Sequence, residues 1–115
     1  MSPRKKKSST YFSFQDGNLI YAVEDLWKVA KNLPIEEIPL VDIRISTIGG
    51  GGYTKHIKRV QKADLSYPII ILEDNWVADG MHRVIKALMR GEETIKAVRI
   101  IKMPKPREIL EDEDE

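Results

Sequence analysis

The sequence predicts one small α+β domain, a compact mixed sheet of a few strands with about three helices. Three observations carry that expectation. The chain has 115 residues, the length of a single domain. Its hydrophobic share of 42% suffices for a modest core, and those residues fall partly in a helical period and partly in short runs that suit strands. Charge is close to balance, with 19 Lys plus Arg against 18 Asp plus Glu, yet it is sorted towards the ends. Residues 1–10 hold Arg4, Lys5, Lys6 and Lys7 with no acid; residues 108–115 hold Glu108, Glu111, Asp112, Glu113, Asp114 and Glu115 with no base. Segments this polar cannot offset their ordering entropy by burial. The expected layout is therefore a disordered basic arm over 1–10, the domain over 11–107 and a disordered acidic tail over 108–115.

The elements follow in order. Tyr11 to Gly17 ends in the turn signal Gln15-Asp16-Gly17. Asn18 then serves as the N-cap of a first helix, in which Ile20, Val23, Leu26, Trp27 and Ala30 share one face. Pro34 stops it. Ile38 to Ile45 alternates Leu40, Asp42 and Arg44 with Val41, Ile43 and Ile45, as a half-buried strand does. Gly49 to Gly52 breaks all periodicity and reads as a linker or lid. Tyr53 to Ala63 reads as a basic helix carrying Lys55, Lys58, Arg59 and Lys62, with Ile57 and Val60 towards the core. Pro68 to Leu72 is a short apolar strand, and Glu73-Asp74-Asn75 turns it into a second one, Trp76 to Ala78. A helix runs from Met81 to Arg90, closed by Gly91, with Met81, Val84, Ile85, Ala87 and Leu88 as its buried stripe. Thr94 to Met103 is the last strand, ended by Pro104 and Pro106. Trp27 and Trp76 read as core residues.

Composition excludes several chemistries. The chain has no cysteine, so it has no disulfide framework, no thiolate nucleophile and no Cys-based zinc site. His56 and His82 are the only histidines, too few for a protein-built zinc site without two carboxylates as well; no metal-ligating residues are expected. The basic start runs into Ser8-Ser9-Thr10 rather than an apolar stretch, unlike a secretory signal. No apolar run approaches the ~20 residues that span a bilayer. The expectation is a soluble cytoplasmic protein without membrane partners.

Chemistry concentrates in Ala78-Asp79-Gly80-Met81-His82-Arg83. A glycine between a strand and a helix lets backbone approach a ligand, and the helix start presents unpaired N–H groups that favour anions, phosphate above all. His82 and Arg83 add a donor and a permanent cation there. Arg83, Lys86 and Arg90 continue the charge along one helical face, and the planar fork of arginine grips two phosphate oxygens at once. The plainer alternative is that Asp-Gly is simply a good turn and the cations are solvated. His56 and Arg59, one turn apart, offer a second basic wall to the same pocket, or else belong to a surface helix. Asp79 orients His82 or Arg83, assists a magnesium ion on phosphates, or only forms the turn. The four glycines lack the Gly-Lys-Ser/Thr that a Walker loop requires. Tyr53 beside them stacks on a base or anchors its helix.

Ile38-Pro39-Leu40, His56-Ile57-Lys58-Arg59, Ala63-Asp64-Leu65-Ser66-Tyr67-Pro68-Ile69-Ile70, Asp79-Gly80-Met81-His82-Arg83 and Lys86-Ala87-Leu88 with Gly91 occur in that order. From Leu33 to Ile101 the chain so resembles the ParB/sulfiredoxin-like superfamily, in particular its small stand-alone ParB-like members. The resemblance implies that fold and a site for CTP, ATP or ADP, with or without magnesium, whose phosphates lie against Gly80, His82 and Arg83 with Met81 in the same turn. His82, with Asp79 beside it, would carry any proton transfer. The chain departs from the family's chemistries. Met81 stands where sulfiredoxins have their catalytic cysteine, which excludes reduction of a cysteine sulfinic acid. No glutamate lies between Ile38 and Leu72, where the free-serine kinases have their base. With 115 residues the chain is not expected to carry the helix-turn-helix and dimerisation domains of partition proteins.

Nucleotide binding, with phosphoryl transfer or hydrolysis left open, is therefore the leading expectation. The alternatives are a DNA- or RNA-associated accessory protein using the basic arm and the Lys55–Lys62 helix, and a protein-interaction module with a vestigial site and charged tails that meet a partner.

Overall fold

The computed structural model describes residues 12–45 and 53–111. The basic arm expected over 1–10, the glycine segment 49–52 and the last acidic residues lie outside the described residues, as does the side chain of Tyr53. Within them the chain is an α+β structure of two small sheets and three α-helices.

The first sheet opens with a hairpin, β1 (Ser13–Asp16) and β2 (Leu19–Ala22), in register from Ser13 opposite Ala22 to Asp16 opposite Leu19. The two-residue loop sets Gly17 at φ +62°, the left-handed conformation this tight turn demands of its first central residue. Leu19 to Ala22 is thus a strand, where the sequence reading began a helix. Helix α1 (Val23–Ala30) starts only after Ala22, with Glu24 and Asp25 in its first turn to complement the helix dipole. The strand prevails because Ile20, Tyr21 and Ala22 are buried together, and because β2 pairs on its other edge with β7 (Glu108–Ile109). Strand β7 also carries the structure beyond the boundary expected at residue 107. Arg107 fastens this closure, its backbone N–H donating to the Ile20 carbonyl at 2.7 Å and its guanidinium gripping Asp25 and Glu24.

The second sheet holds β3 (Ile35–Pro39), β6 (Thr94–Ile100), β4 (Ile69–Leu72) and β5 (Val77–Asp79), in that spatial order. Strand β6 is antiparallel to β3 and parallel to β4, and α3 (Met81–Met89) makes the crossover that a parallel pair needs. Both faces of the sheet are covered. Ile69, Ile71, Ile95 and Ala97 pack with Val84 and Ala87 of α3 and with Ile38 and Leu40. Ile70, Val98 and Ile100 pack with Leu26 and Ala30 of α1 and with Tyr21. Burial on both faces explains why β4 reads as an unbroken apolar run.

Three further element readings need correction. The strand expected over Ile38–Ile45 lies earlier, at Ile35–Pro39, followed by a 3₁₀ turn at Leu40–Asp42; Leu40 is buried while Val41 is 92% exposed. Only Arg44 keeps a trace of strand, in a parallel bridge to Trp76. In α2 (Tyr53–Lys62) His56 and Val60 face inward, and Ile57, assigned to the core, is 56% exposed. In α3 Leu88 lies outside the buried stripe.

Candidate functional site

Strand β5 ends at Asp79 and α3 begins at Met81, with Gly80 as the N-cap at φ +110° and ψ +19°. No side chain caps this helix, and the N–H groups of Met81 and His82 lie in the first turn, where no intrahelical acceptor exists. The Gly80 carbonyl accepts from Arg83 and Val84 at 2.9 and 3.1 Å. A Cβ at residue 80 would come within 2.5 Å of Cγ2 and 2.8 Å of Cβ of Ile69. The glycine is required by its packing on the core as well as by its φ, a reason independent of any ligand.

Over this helix start opens a pocket of about 800 Å³. Its walls are β1 around Phe14, β5 with the first turn of α3, and the end of α2, where Arg59 and Lys62 precede Tyr67. Of the residues singled out in the sequence, Asp79, Gly80, Met81, His82, Arg83 and Arg59 all line it. His56 is placed differently. It is buried on α2, 8% exposed, and its Nδ1 lies 2.9 Å from Nε2 of His82, so it supports the pocket from behind.

The pocket's charges are unequally available. Arg83 Nη1 donates to the Pro68 carbonyl at 3.3 Å, which holds the guanidinium above Gly80. Lys86 does not extend a basic stripe from it: Nζ donates to the Gln61 and Ala63 carbonyls at 2.9 and 2.8 Å, closing the C-terminus of α2. Arg90 faces Glu92 at 3.7 Å. Asp79 Oδ2 accepts from Trp27 Nε1 at 2.8 Å, and Asp64 accepts from both the N–H and the hydroxyl of Ser66. These two bonds hold the Asp64 carboxyl below its usual range. The ring of His82 titrates below the ordinary imidazole range, chiefly because burial disfavours its charged form, then because of His56 and Arg59; Asp79 opposes them. The site therefore presents arginine cations, a histidine whose charged form burial disfavours and two carboxylates already engaged.

Phe14, Lys62 and Tyr67 also line the pocket. Lys62 belongs to the basic helix read from the sequence and Tyr67 to the segment that carries the resemblance, whereas nothing in the local sequence brings β1 to this place. Trp27, read as a core residue, is half-buried and serves as the donor to Asp79. Trp76 is 37% exposed, with the Arg44 guanidinium 5.8 Å from its ring centre. Among the described residues no three His, Cys, Asp or Glu side chains gather as a metal site, and no helix is long and apolar enough to cross a membrane. Comparison with protein families, with curated proteins and with solved structures gives no match to this chain.

Proposed function

We propose that this chain binds a nucleotide, a nucleoside di- or triphosphate such as ATP, ADP or CTP, with its phosphates at the start of α3. The observation that carries the reading is the convergence of Arg59, His82 and Arg83 on one pocket, at a helix start that no side chain caps. Backbone donors and the positive end of the helix dipole favour an anion there. Arginines from two different helices suit phosphate oxygens better than isolated ammonium groups do. The order strand, Asp-Gly-Met-His-Arg, helix is the one that the likeness to the ParB/sulfiredoxin-like superfamily implies, and it supports the same reading. Phe14 and Tyr67 give the pocket aromatic surface on which a base can stack. Magnesium, if it accompanies the phosphates, would be held mainly by them, as that ion usually is.

The reading is binding rather than turnover. Asp79 and Asp64, the two carboxylates of the pocket, are committed to Trp27 and Ser66, and neither is placed as a base. The test is calorimetric titration with ATP, ADP and CTP, with and without magnesium. At least one should bind, and Arg83→Ala should weaken it more than tenfold, the ~1.5–3 kcal/mol of a charge-assisted hydrogen bond. Equal affinity in a folded Arg83→Ala protein would sink the proposal. A second reading, contact with nucleic acid, is favoured by Lys55, Lys58, Arg59 and Lys62, all exposed on α2. It demands a steep loss of affinity with salt.

A further inference from the structure

His56 has no place on the pocket wall, yet it is the one buried polar residue among the described residues. Its ring meets His82 with centroids 5.2 Å apart and planes 19° from parallel. That is too far for face contact, and it is the spacing that two rings joined edge to edge through a 2.9 Å hydrogen bond require. The bond uses Nε2 of His82, leaving Nδ1 as the nitrogen that can serve a ligand; no partner for it occurs among the described residues. We infer that His56 acts through His82: the two rings share one added proton, and the pocket takes up that proton from solvent together with its anion. The inference rests on the reading of the pocket as an anion site.

The proton count follows from the donors. In the neutral pair one ring nitrogen donates and the other accepts. Adding one proton gives a His82 imidazolium whose Nε2–H donates to His56 Nδ1 and whose Nδ1–H is free to donate to the ligand, a stronger pair of bonds than before. Adding a second proton would place hydrogens on both facing nitrogens and break the bond. While the bond persists, the hydrogen-bonded pair thus holds one extra proton at most.

The charges around the pair set the direction. Burial disfavours the added proton on His82 most, and Arg59 on α2 adds to it, while Asp79 at the end of β5 favours it; Lys62, Arg83 and Asp64 line the same pocket. Strand β4 and the pocket-lining residues of β1 bring no ionisable side chain. Lys86 is bound to the α2 carbonyls, and Arg99 of β6 is turned to Leu72, Glu73 and Asn75. An incoming anion outweighs the arginine repulsion and raises the affinity of the pair for its proton. Ligand affinity is then highest below the pKa of the free pair, falls as pH rises towards the pKa of the liganded pair, and is flat above it.

The test is nuclear magnetic resonance of the two imidazole rings of the full chain between about pH 5 and 9, with sulfate as the probe because its charge stays constant over that range. Backbone amides of Gly80 to Arg83 report sulfate binding in the same samples. Both rings should move in one coupled step, that step should rise in pH on saturation with sulfate, and sulfate should bind several-fold more tightly at pH 5.5 than at pH 7.5. His82→Gln should still bind sulfate through the arginines but lose the pH dependence. His56→Asn keeps a hydrogen-bonding side chain whose oxygen is a poorer acceptor for an imidazolium, so the His82 midpoint should move to lower pH. A purely structural His56 would leave that midpoint where it was. Two wild-type rings that titrate independently, or sulfate binding that moves neither curve, would overturn the inference alone, whether or not the variants fold. Amides at Gly80 to Arg83 that ignore sulfate and ADP at every pH would overturn the anion reading and the inference together.

Discussion

Trp27 Nε1 donates to Asp79 Oδ2 at 2.8 Å, across 52 positions of sequence. The bond joins α1, on one face of the four-stranded sheet, to the residue immediately before the motif glycine. Asp79 is thereby fixed as an acceptor inside the fold. Trp27→Phe retains most of the packing and removes the donor. We expect it to lower stability by about 1.5 kcal/mol, as for a hydrogen bond to a charged group, without abolishing the nucleotide binding proposed above. Chemical unfolding and ligand titration of the same variant check both parts.

Gly80 and Ile69 give a second expectation. Gly80→Ala puts a Cβ against Cβ and Cγ2 of Ile69 at a φ of +110°. Overpacking and backbone strain together should cost about 2–4 kcal/mol. Ile69→Ala removes the opposing methyl group at the expense of a cavity. The double variant should be less destabilised than the sum of the two single ones, because the steric conflict is shared. Strict additivity in denaturant unfolding would show that Cγ2 of Ile69, which Ile69→Ala removes while keeping Cβ, is not what keeps residue 80 a glycine.

Lys86→Met leaves the Gln61 and Ala63 carbonyls without their ammonium donor. Amide exchange near the end of α2, around Ala63 to Tyr67, should quicken while α1 stays protected. The proposed nucleotide affinity should fall only modestly, since Lys86 is spent on backbone and the loss acts through Arg59 and Lys62.

Acid should loosen the β2–β7 closure early. The Arg107 guanidinium, above all by its hydrogen bonds, holds the Asp25 carboxyl below its ordinary range. Because that pKa is depressed in the folded state, its stabilising contribution is complete above the unfolded-state value of about 3.9. It fades as pH falls through the lower folded-state value. Exchange at the Arg107 and Leu110 amides, which donate to Ile20 and Asn18, should accelerate below about pH 4. Arg107→Gln should show the same acceleration at neutral pH.

Much of the site was legible because it is local. The passage from Asp79 through Gly80 into α3 depends on a turn residue and a helical period within a dozen positions. What escaped was decided elsewhere in the chain. Leu19 to Ala22 carries apolar residues that continue a helical period as readily as a strand, and pairing with β1 on one edge and with Glu108 and Ile109 on the other selects the strand. Hydropathy chose Ile57 for the core, but His56 takes that place because His82 supplies the partner that makes its burial tolerable. The mate of Asp79 lies on a helix outside the motif altogether. Likewise β1 reaches the pocket only through the fold, so Phe14 carried no local signal of its role.

The pairing of Ile20 with Glu108 also bears on how the chain folds as it is made. About 90 residues must be added after β2 before β7 exists, roughly 4–18 s at ribosomal speeds of about 5–20 residues per second. Until then β2 offers one open edge, with Ile20 and Tyr21 uncovered, to any neighbouring strand. The nascent hairpin is the segment most in need of shelter from chaperones or from dilution, and slowing translation should promote aggregation through it.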